Sequence, residues 1–233
     1  MSADDKPLVV ITGAAGDIGS TLTRLLESDY TVVGLDRTGK GAVGELIEVD
    51  LTSDDAIDSA LRTLRDRHGS RIAAVVHLAA YFDFTGEEHP LYQKVNVEGT
   101  QRLLRALQSF EVQQFLYSST MLVHKAGKPG ERINEDTPIE PGWAYPRSKA
   151  QAERIIQEHH GRIPYVILRL AGLYDERTCV PTLANQIARI YERDLQSHFY
   201  SGSMQVGQAM VHRDDMLDAF KRTIDRRGEI PSG

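Results

Sequence analysis

The sequence contains a single cysteine, Cys179, among its 233 residues. An internal disulfide is therefore excluded, and nothing in the cysteine usage indicates an oxidising compartment. No apolar stretch approaches the roughly 18 residues that a membrane-spanning helix needs. No charged segment followed by an apolar one marks a secretory signal. We therefore expect a cytoplasmic protein that has no membrane partner.

The sequence also has fewer basic than acidic residues. The formal net charge is −6 at pH 7, which argues against a large nucleic-acid-binding surface. The eight histidines are scattered, and beyond the adjacent pair His159–His160 none stands at metal-ligand spacing, so we expect no metal. His77 ends an apolar run and is interpreted as a packed structural residue. The expected partner is a small-molecule substrate.

Short apolar runs alternate with amphipathic segments along the chain. The runs predict strands at residues 7–12, 31–36, 44–51, 72–80, 112–120 and 164–172. The segments between and after them predict helices at residues 17–28, 54–67, 91–110, 144–160, about 181–193 and 213–226. Continuous apolar strands separated by helices are typical of a parallel sheet that is covered on both faces. We predict an α/β fold with a doubly wound, Rossmann-type parallel sheet.

The first predicted strand runs into a loop with glycine at every third position: Gly13, Gly16 and Gly19. Glycine lets backbone N–H groups approach a pyrophosphate, and the N-terminus of a helix favours its negative charge. A strand before the loop and a helix after it provide the context that a dinucleotide-binding loop needs. The spacing is G-x-x-G-x-x-G, and a tight strand–helix turn is the alternative explanation.

Acidic residues end the next two predicted strands. Asp36 can accept hydrogen bonds from an adenosine ribose and would repel a 2′-phosphate, which favours NAD over NADP. Arg37 follows it and can stack on adenine or contact a 2′-phosphate; a solvated strand end is the alternative. Asp50 and Leu51 end the third strand, where an aspartate can hydrogen-bond the adenine amino group or cap the following helix.

A tyrosine and a lysine open the helix predicted after the fifth strand. Tyr145 and Lys149 stand four residues apart and project from one helical face. An ammonium beside a phenol lowers the phenol pKa from about 10, and such a tyrosine can exchange a proton with an alcohol or carbonyl. An exposed helix pair is the alternative. Thr120 ends the fifth strand, where its hydroxyl can donate to a substrate oxygen; Ser118 and Ser119 are alternates.

In combination these motifs resemble the extended short-chain dehydrogenase/reductase family, also named NAD-dependent epimerase/dehydratase. They occur in family order over about residues 8–220. The matching segments are TGAAGDIG (12–19), Asp36, DL (50–51), HLAA (77–80), NVEGT (96–100), YSST (117–120), YPRSK (145–149), ILRLAGLYD (167–175) and VHRDD (211–215).

The resemblance implies a role for each matching residue. Tyr145 would be the general acid/base, and Thr120 would supply the catalytic hydroxyl. Lys149 would bind the nicotinamide ribose and lower the pKa of Tyr145. Asp36 would hold the adenosine ribose. The other implied cofactor contacts are Gly13, Gly16, Asp17, Ile18 and Gly19 at the pyrophosphate, Asp50 and Leu51 at adenine, Leu78, Ala79, Ala80 and Asn96 along the cleft, and Ala171 near the nicotinamide.

Departures from the family pattern bear on the substrate. Gly172 replaces the asparagine that helps many of these enzymes hold a sugar nucleotide, and the segment around it resembles the reductase and hydroxysteroid dehydrogenase branch. Met121 and Leu122 stand where sugar 4,6-dehydratases carry an acidic pair, so dehydration is not expected. The aromatic residues expected at the cleft mouth, against an apolar substrate or packed within their loop, are Tyr81, Phe82 and Phe84.

We predict two regions in the chain. Residues 1–172 would form the dinucleotide-binding Rossmann domain, and residues 173–233 a partial substrate-binding region interleaved with it. Family members are longer, so we expect this small C-terminal region to be truncated; a minimal substrate region is the alternative. By resemblance, the helices at 91–110 and 144–160 would pair two copies into a homodimer.

The expected function is NAD-dependent interconversion of a secondary alcohol and a ketone. Tyr145 would move the proton, Thr120 would orient the oxygen, and hydride would pass between the substrate carbon and the nicotinamide. Two alternatives stay open. One is a sugar epimerase that oxidises its substrate transiently and reduces it again. The other is a non-catalytic NAD(P)-binding regulatory protein.

Overall fold

The computed structural model describes residues 6–83, 85–128, 130–176, 181–192, 198 and 207–233; Phe84 and Cys179 lie outside them. The strands described are β1 (Leu8–Thr12), β2 (Thr31–Asp36), β3 (Glu45–Glu48), β4 (Arg71–Ile72), β5 (Ala74–His77), β6 (Glu111–Val112), β7 (Phe115–Thr120), β8 (Tyr165–Leu170), β9 (Gly172–Tyr174) and β10 (Met210–His212). The α-helices described are α1 (Asp17–Leu26), α2 (Asp54–His68), α3 (Glu98–Leu107), α4 (Ala144–His159), α5 (Pro181–Tyr191) and α6 (Arg213–Asp225).

Within the described part of the chain, six parallel strands form the main sheet in the order β3-β2-β1-β5-β7-β8. The chain first builds outward from β1 to β3, then crosses to β5 on the other side of β1. In doubly wound sheets ligands bind at such a reversal, outside the carboxyl ends of the strands. The predicted Rossmann-type fold is confirmed. Two small parallel pairs, β9 with β10 and β4 with β6, flank the sheet.

Helices cover both faces of the sheet, and this explains why its central strands are mostly apolar. All five residues of β1 are buried. One face packs against α2, α3 and α4 through residues such as Leu64, Leu104 and Ile156. The other face packs against α1 and α6 through residues such as Leu22 and Phe220. A strand that is buried on both faces has no solvent side, so its sequence does not alternate.

The helix predicted at 91–110 is not one continuous α-helix. A π-helical segment spans Tyr92–Val97 and leads into α3. π-Helical turns are rare in proteins, and those that do occur are often found at functional sites. Leu103, Leu104 and Leu107 of α3 are buried in the core. They are therefore unavailable to a partner, and homodimerisation stays a prediction.

The C-terminal region takes part in the main core. Met216, Leu217, Phe220 and Ile224 of α6 are buried in the cluster that contains β1 and α1. The domain boundary at residue 172 stays a prediction, but α6 packs as a layer of the Rossmann domain. This placement brings the start of α6 close to the start of α1.

Two further observations on the described residues concern a membrane and a metal ion. No helix among them has the length and apolar character that crossing a membrane requires. Likewise, no group of three or more His, Cys, Asp or Glu side chains in those residues is arranged to hold a metal ion.

Candidate functional site

The glycine loop between β1 and α1 packs so closely against its neighbours that two of its glycines have no room for a side chain. Gly13 has a φ of +73°, and a Cβ added there would lie 2.8 Å from the backbone nitrogen of Ala79. A Cβ at Gly19 would overlap the carbonyl oxygen of Gly13. Gly16 is the N-cap of α1 and supplies no side-chain hydrogen bond to the first turn. The N–H groups of Asp17, Ile18 and Gly19 thus lack a side-chain cap, which fits a pyrophosphate.

The carboxylate of Asp36 lies directly beside this loop. Its Oδ2 accepts a hydrogen bond from the backbone nitrogen of Ala15 at 2.9 Å, and its Oδ1 accepts one from the backbone nitrogen of Arg37 at 2.7 Å. Each carboxylate oxygen has a second lone pair, so Asp36 can also accept bonds from the hydroxyls of a ribose. The arrangement fits the role expected for Asp36 in holding a dinucleotide.

Asp50 and Leu51 lie at the next strand end, where both have structural contacts. Asp50 accepts hydrogen bonds from the backbone nitrogen and the hydroxyl of Thr52, each at 2.8 Å. These bonds, with a smaller contribution from Arg37, hold the pKa of Asp50 below its usual value. The N-cap of α2 is Ser53, so Asp50 is not the cap. Leu51 is buried against Gly99 of α3.

A buried hydrogen-bond relay links the glycine loop to the π-helical segment. The hydroxyl of Thr100 donates to the carbonyl oxygen of Asn96 at 2.7 Å, so it accepts from His77 Nε2 at 2.9 Å. His77 Nδ1 is then the acceptor for the Thr12 hydroxyl at 2.6 Å. Thr12 in turn accepts from the backbone nitrogen of Ala79 at 3.2 Å. Burial, together with the charge of Lys149, lowers the pKa of His77 to about 3, so His77 is neutral.

The strand predicted at residues 72–80 ends at His77, earlier than expected. The buried relay also confirms that His77 is a packed residue. Because the Ala79 nitrogen donates to a side chain on β1, residues 78–80 leave the sheet toward the glycine loop. Leu78 and Ala79 are half-buried and Ala80 is exposed along the cleft. Sequence reasoning did not anticipate Thr12 or Thr100; both lie within the motif segments TGAAGDIG and NVEGT, which is the signal that points to them.

Asn96 joins two further parts of the site. Its Oδ1 accepts from the backbone nitrogen of Tyr81 at 2.7 Å, and its Nδ2 donates to the carbonyl oxygen of Tyr81 at 3.0 Å. The same Nδ2 donates to Ser148 Oγ on α4 at 2.9 Å. Asn96 therefore fixes the loop after β5 against the helix that carries Tyr145 and Lys149. Ser148 was another residue that sequence reasoning missed.

Lys149 is only 2% exposed, and its ammonium lies 4.3 Å from the centre of the Tyr117 ring on β7. No residue in the described ranges accepts a hydrogen bond from it. Burial lowers the pKa of Lys149 to about 7, against an opposing effect of the Glu153 carboxylate one turn further along α4. A buried donor without an acceptor among the described residues fits the contact with ribose hydroxyls that the resemblance implies.

Tyr145 lies in the first turn of α4 among other aromatic rings. Its ring lies 4.6 Å from that of Phe82 in an edge-on arrangement and 5.7 Å from that of Trp143. Burial, with a contribution from Tyr92, raises the pKa of Tyr145 to about 12. The expected lowering by Lys149 is therefore absent in the free protein, where desolvation of the phenolate is the main effect on the pKa of Tyr145.

The hydroxyls at the end of β7 have separate roles. Ser119 faces α4 and donates a hydrogen bond to Glu153, whose carboxylate also pairs with Arg169 at 2.8 Å. Side chains alternate along a strand, so Thr120 points away from that pair. Thr120 Oγ1 accepts from the backbone nitrogen of Leu122 at 3.3 Å, which leaves its hydrogen for a substrate oxygen. This arrangement favours Thr120 over Ser119 as the substrate-facing hydroxyl.

Tyr81 packs within its own loop. Its ring stacks on His89 at 4.7 Å and meets Tyr92 edge-on at 5.0 Å. Phe82, which is 43% exposed, is instead the aromatic residue that lies against Tyr145. The structure thus favours the loop-packing alternative for Tyr81, and its contact with substrate stays a prediction.

Ala171 lies between β8 and β9 and is half-buried, so its expected position near the nicotinamide stays a prediction. The neighbouring Gly172 pairs with Met210 of β10. A Cβ at Gly172 would lie 2.7 Å from the sulfur of Met210. Gly172, which replaces the asparagine of many family members, therefore lies where β9 and β10 pack closely together.

Comparison with known proteins agrees with this geometry. The chain is 35% identical over 170 residues to the UDP-glucose 4-epimerase of Halalkalibacterium halodurans, which covers 69% of this chain and 49% of the relative. It is 32% identical over 193 residues to the 3 beta-hydroxysteroid dehydrogenase type 7 of Mus musculus, covering 72% of this chain and 50% of the relative. The chain thus spans about half the length of these curated relatives.

A solved structure shows the same fold with the expected cofactor. The UDP-glucose 4-epimerase of Thermus thermophilus, in complex with NAD, superposes with a TM-score of 0.73 at 26% identity and covers 93% of this chain and 74% of its own. The profile of the NAD dependent epimerase/dehydratase family matches residues 9–233. With the glycine loop, Asp36 and the Tyr145–Lys149 pair in place, the chain belongs to the NAD-dependent epimerase/dehydratase family.

Proposed function

We propose that this chain binds NAD and catalyses epimerisation of a sugar nucleotide at a secondary alcohol. The observation that carries the proposal is the buried ammonium of Lys149 beside Tyr145, at the strand edge that also holds the uncapped first turn of α1. Relatives that are UDP-glucose 4-epimerases favour this reading over net interconversion of an alcohol and a ketone. The family description and the NAD-bound neighbour support the cofactor.

The side chains divide the chemistry between them. Bound NAD would take a hydride from the substrate carbon and return it. Tyr145 takes the alcohol proton as a phenolate in the oxidation, and the phenol so formed gives the proton back in the reduction. With a pKa of about 12 this phenol is protonated in the free protein, so the oxidation depends on stabilisation of the phenolate by the Lys149 ammonium. The Thr120 hydroxyl donates a hydrogen bond to the substrate oxygen in both the oxidation and the reduction.

The test combines a binding and a turnover measurement. Calorimetric titration of the wild type should show tighter binding of NAD than of NADP, because Asp36 would repel a 2′-phosphate. Incubation with UDP-glucose or UDP-galactose should then yield the other epimer without accumulation of NADH. The Tyr145→Phe variant should keep its affinity for NAD and lose interconversion by about 10²-fold or more.

Each part can fail separately. Equal or tighter NADP binding would mean that Arg37 outweighs Asp36, and no binding of either would overturn the cofactor assignment. Full interconversion by Tyr145→Phe would overturn the role of the tyrosine. A variant that neither binds NAD nor melts like the wild type is misfolded, so thermal unfolding is measured alongside; Tyr174→Phe, an exposed tyrosine away from α4, is the matched control.

A net dehydrogenase is the second candidate, and a specific observation favours it. Phe82 presents an exposed aromatic face against Tyr145, where an apolar substrate can pack. The likeness to a hydroxysteroid dehydrogenase points the same way. This candidate predicts that NADH accumulates from an apolar secondary alcohol, whereas an epimerase re-reduces its own intermediate.

A further inference from the structure

An acidic residue stands at the position where the proposed function requires an anion to bind. Asp17 is the first residue of α1, and its backbone N–H belongs to the uncapped first turn. A carboxylate in the first turn is favourable for the helix itself. It also repels a second anion in the same place, and the diphosphate of NAD is such an anion.

A distant arginine pairs with this aspartate. Arg213 opens α6, 196 residues further along the chain, and its Nη2 donates to Asp17 Oδ1 at 2.7 Å and to the Asp17 carbonyl oxygen at 2.9 Å. The same nitrogen donates to Thr21 Oγ1 at 2.8 Å. The other terminal nitrogen reaches Asp175 beyond β9 at 3.3 Å. Arg213 therefore ties the first turn of α1 to the C-terminal region.

This contact differs from an ordinary surface ion pair on its arginine side. The side chain of Arg213 is only 14% exposed, so water screens the guanidinium poorly, while the carboxylate of Asp17 is 77% exposed and faces solvent. By contrast, Arg222 and Asp218 on the same helix pair at 2.6 Å with side chains 74% and 56% exposed. The hydrogen bond to Asp17 holds the pKa of Arg213 above its usual value, against the effect of burial.

We propose that Arg213 is a positioning residue for the cofactor site: it neutralises Asp17 and fixes its carboxylate, so that the first turn of α1 can receive a diphosphate. The inference rests on the proposed binding of NAD. It assigns a role in cofactor binding to the start of α6, outside the glycine loop. The experiment distinguishes neutralisation of Asp17 by Arg213 from direct contact of Arg213 with NAD.

A double-mutant cycle tests it with NAD as the titrant. Arg213→Met should weaken NAD binding by about tenfold, because Asp17 is left unpaired beside the diphosphate. Asp17→Asn should bind NAD more tightly than the wild type. The double variant should recover to within about threefold of the wild type, since no charge remains to be neutralised. The loss in Arg213→Met should shrink at high salt.

Arg222→Met is the matched control, because it removes an exposed arginine from the same helix, and its NAD affinity should equal that of the wild type. Thermal unfolding without NAD shows whether each variant is folded. Wild-type affinity in Arg213→Met would overturn the inference, as would a double variant that stays as weak as Arg213→Met. Absence of NAD binding in the wild type itself would instead overturn the proposed function on which the inference rests.

Discussion

Lys149 shows how a single residue can serve a site at the expense of stability. Its side chain is buried, and no described residue accepts a hydrogen bond from its ammonium. Burying a charge without partners is costly unless the group loses its proton, and the pKa of about 7 reflects this cost. Glu153 offsets part of the cost, but its carboxylate is itself shared with Arg169 and Ser119. The free protein therefore keeps a donor ready for a ligand.

Replacing this lysine should stabilise the free protein in a pH-dependent way. The pKa of Lys149 falls from 10.5 to about 7 on folding, so between these values the folded state binds fewer protons than the unfolded state. Wild-type stability should then rise with pH across this window. Lys149→Met removes the group, so it should be more stable than the wild type by about 2 kcal/mol or more at pH 6, with a smaller gain at pH 9. Urea unfolding at both pH values measures this.

The exposed Lys125 is the matched control, because its side chain is 58% exposed and pairs with Glu140 in solvent. Lys125→Met should show the same stability difference at pH 6 and pH 9. A gain for Lys149→Met that does not change with pH would show that the lysine is not buried with a lowered pKa.

At the scale of elements, the strand–loop–helix unit of β1 and α1 depends on backbone packing that side chains would prevent. The loop approaches residues 78–79 so closely that Gly13 has no room for a Cβ. The start of α1 approaches Gly13 equally closely at Gly19. The buried relay through His77 then joins this unit to the π-helical segment and, through Asn96, to α4. The cofactor loop and the Tyr145 helix are thus held by one connected set of hydrogen bonds.

A methyl group at Gly19 should disrupt this unit. Its Cβ would overlap the Gly13 carbonyl oxygen and lie 2.7 Å from Ala14 Cα, and neither backbone atom can move without shifting the loop. Gly19→Ala should cost about 1–3 kcal/mol of unfolding free energy and weaken NAD binding by about tenfold or more. Denaturant unfolding and calorimetry measure the two effects. Gly142→Ala, where an added Cβ meets nothing within 4 Å, should change neither.

At the scale of the whole molecule, the sheet is stable only when both of its faces are covered. The first face uses three helices from the first 160 residues. The second face uses α1 and also α6, which comes from the end of the described chain. The C-terminal region therefore supplies core packing as well as the Arg213 contact. The region predicted from the sequence to be a substrate-binding segment interleaved with the Rossmann domain contributes, at α6, to the core of that domain.

Truncating a core side chain on α6 should therefore destabilise the whole protein. Phe220 is fully buried between α6 and the sheet. Phe220→Ala should lower the unfolding free energy by about 3–5 kcal/mol, through lost burial and the cavity left behind. Ile190→Ala, on a side chain of α5 that is 69% exposed, should cost little. Equal effects of the two variants in urea unfolding would show that α6 does not complete the core.

The sequence by itself determined the sheet, the glycine loop and the candidate catalytic residues. Apolar strands, amphipathic helices and glycine spacing are local patterns, and the backbone geometry that they require is local too. The Rossmann-type fold and the family followed from these patterns. Breaks in regular structure were not predicted, because the π-helical turn before α3 and the early end of β5 depend on hydrogen bonds between separate segments.

Only the tertiary structure decided the chemistry around those residues. The spacing of Tyr145 and Lys149 predicted a lowered tyrosine pKa, whereas rings from Phe82 and Trp143 bury the phenol and raise it. The pairing of Arg213 with Asp17 spans 196 residues and has no local signature. Burial and long-range contacts set the free energies of charged groups, and both arise only when distant parts of the chain pack together.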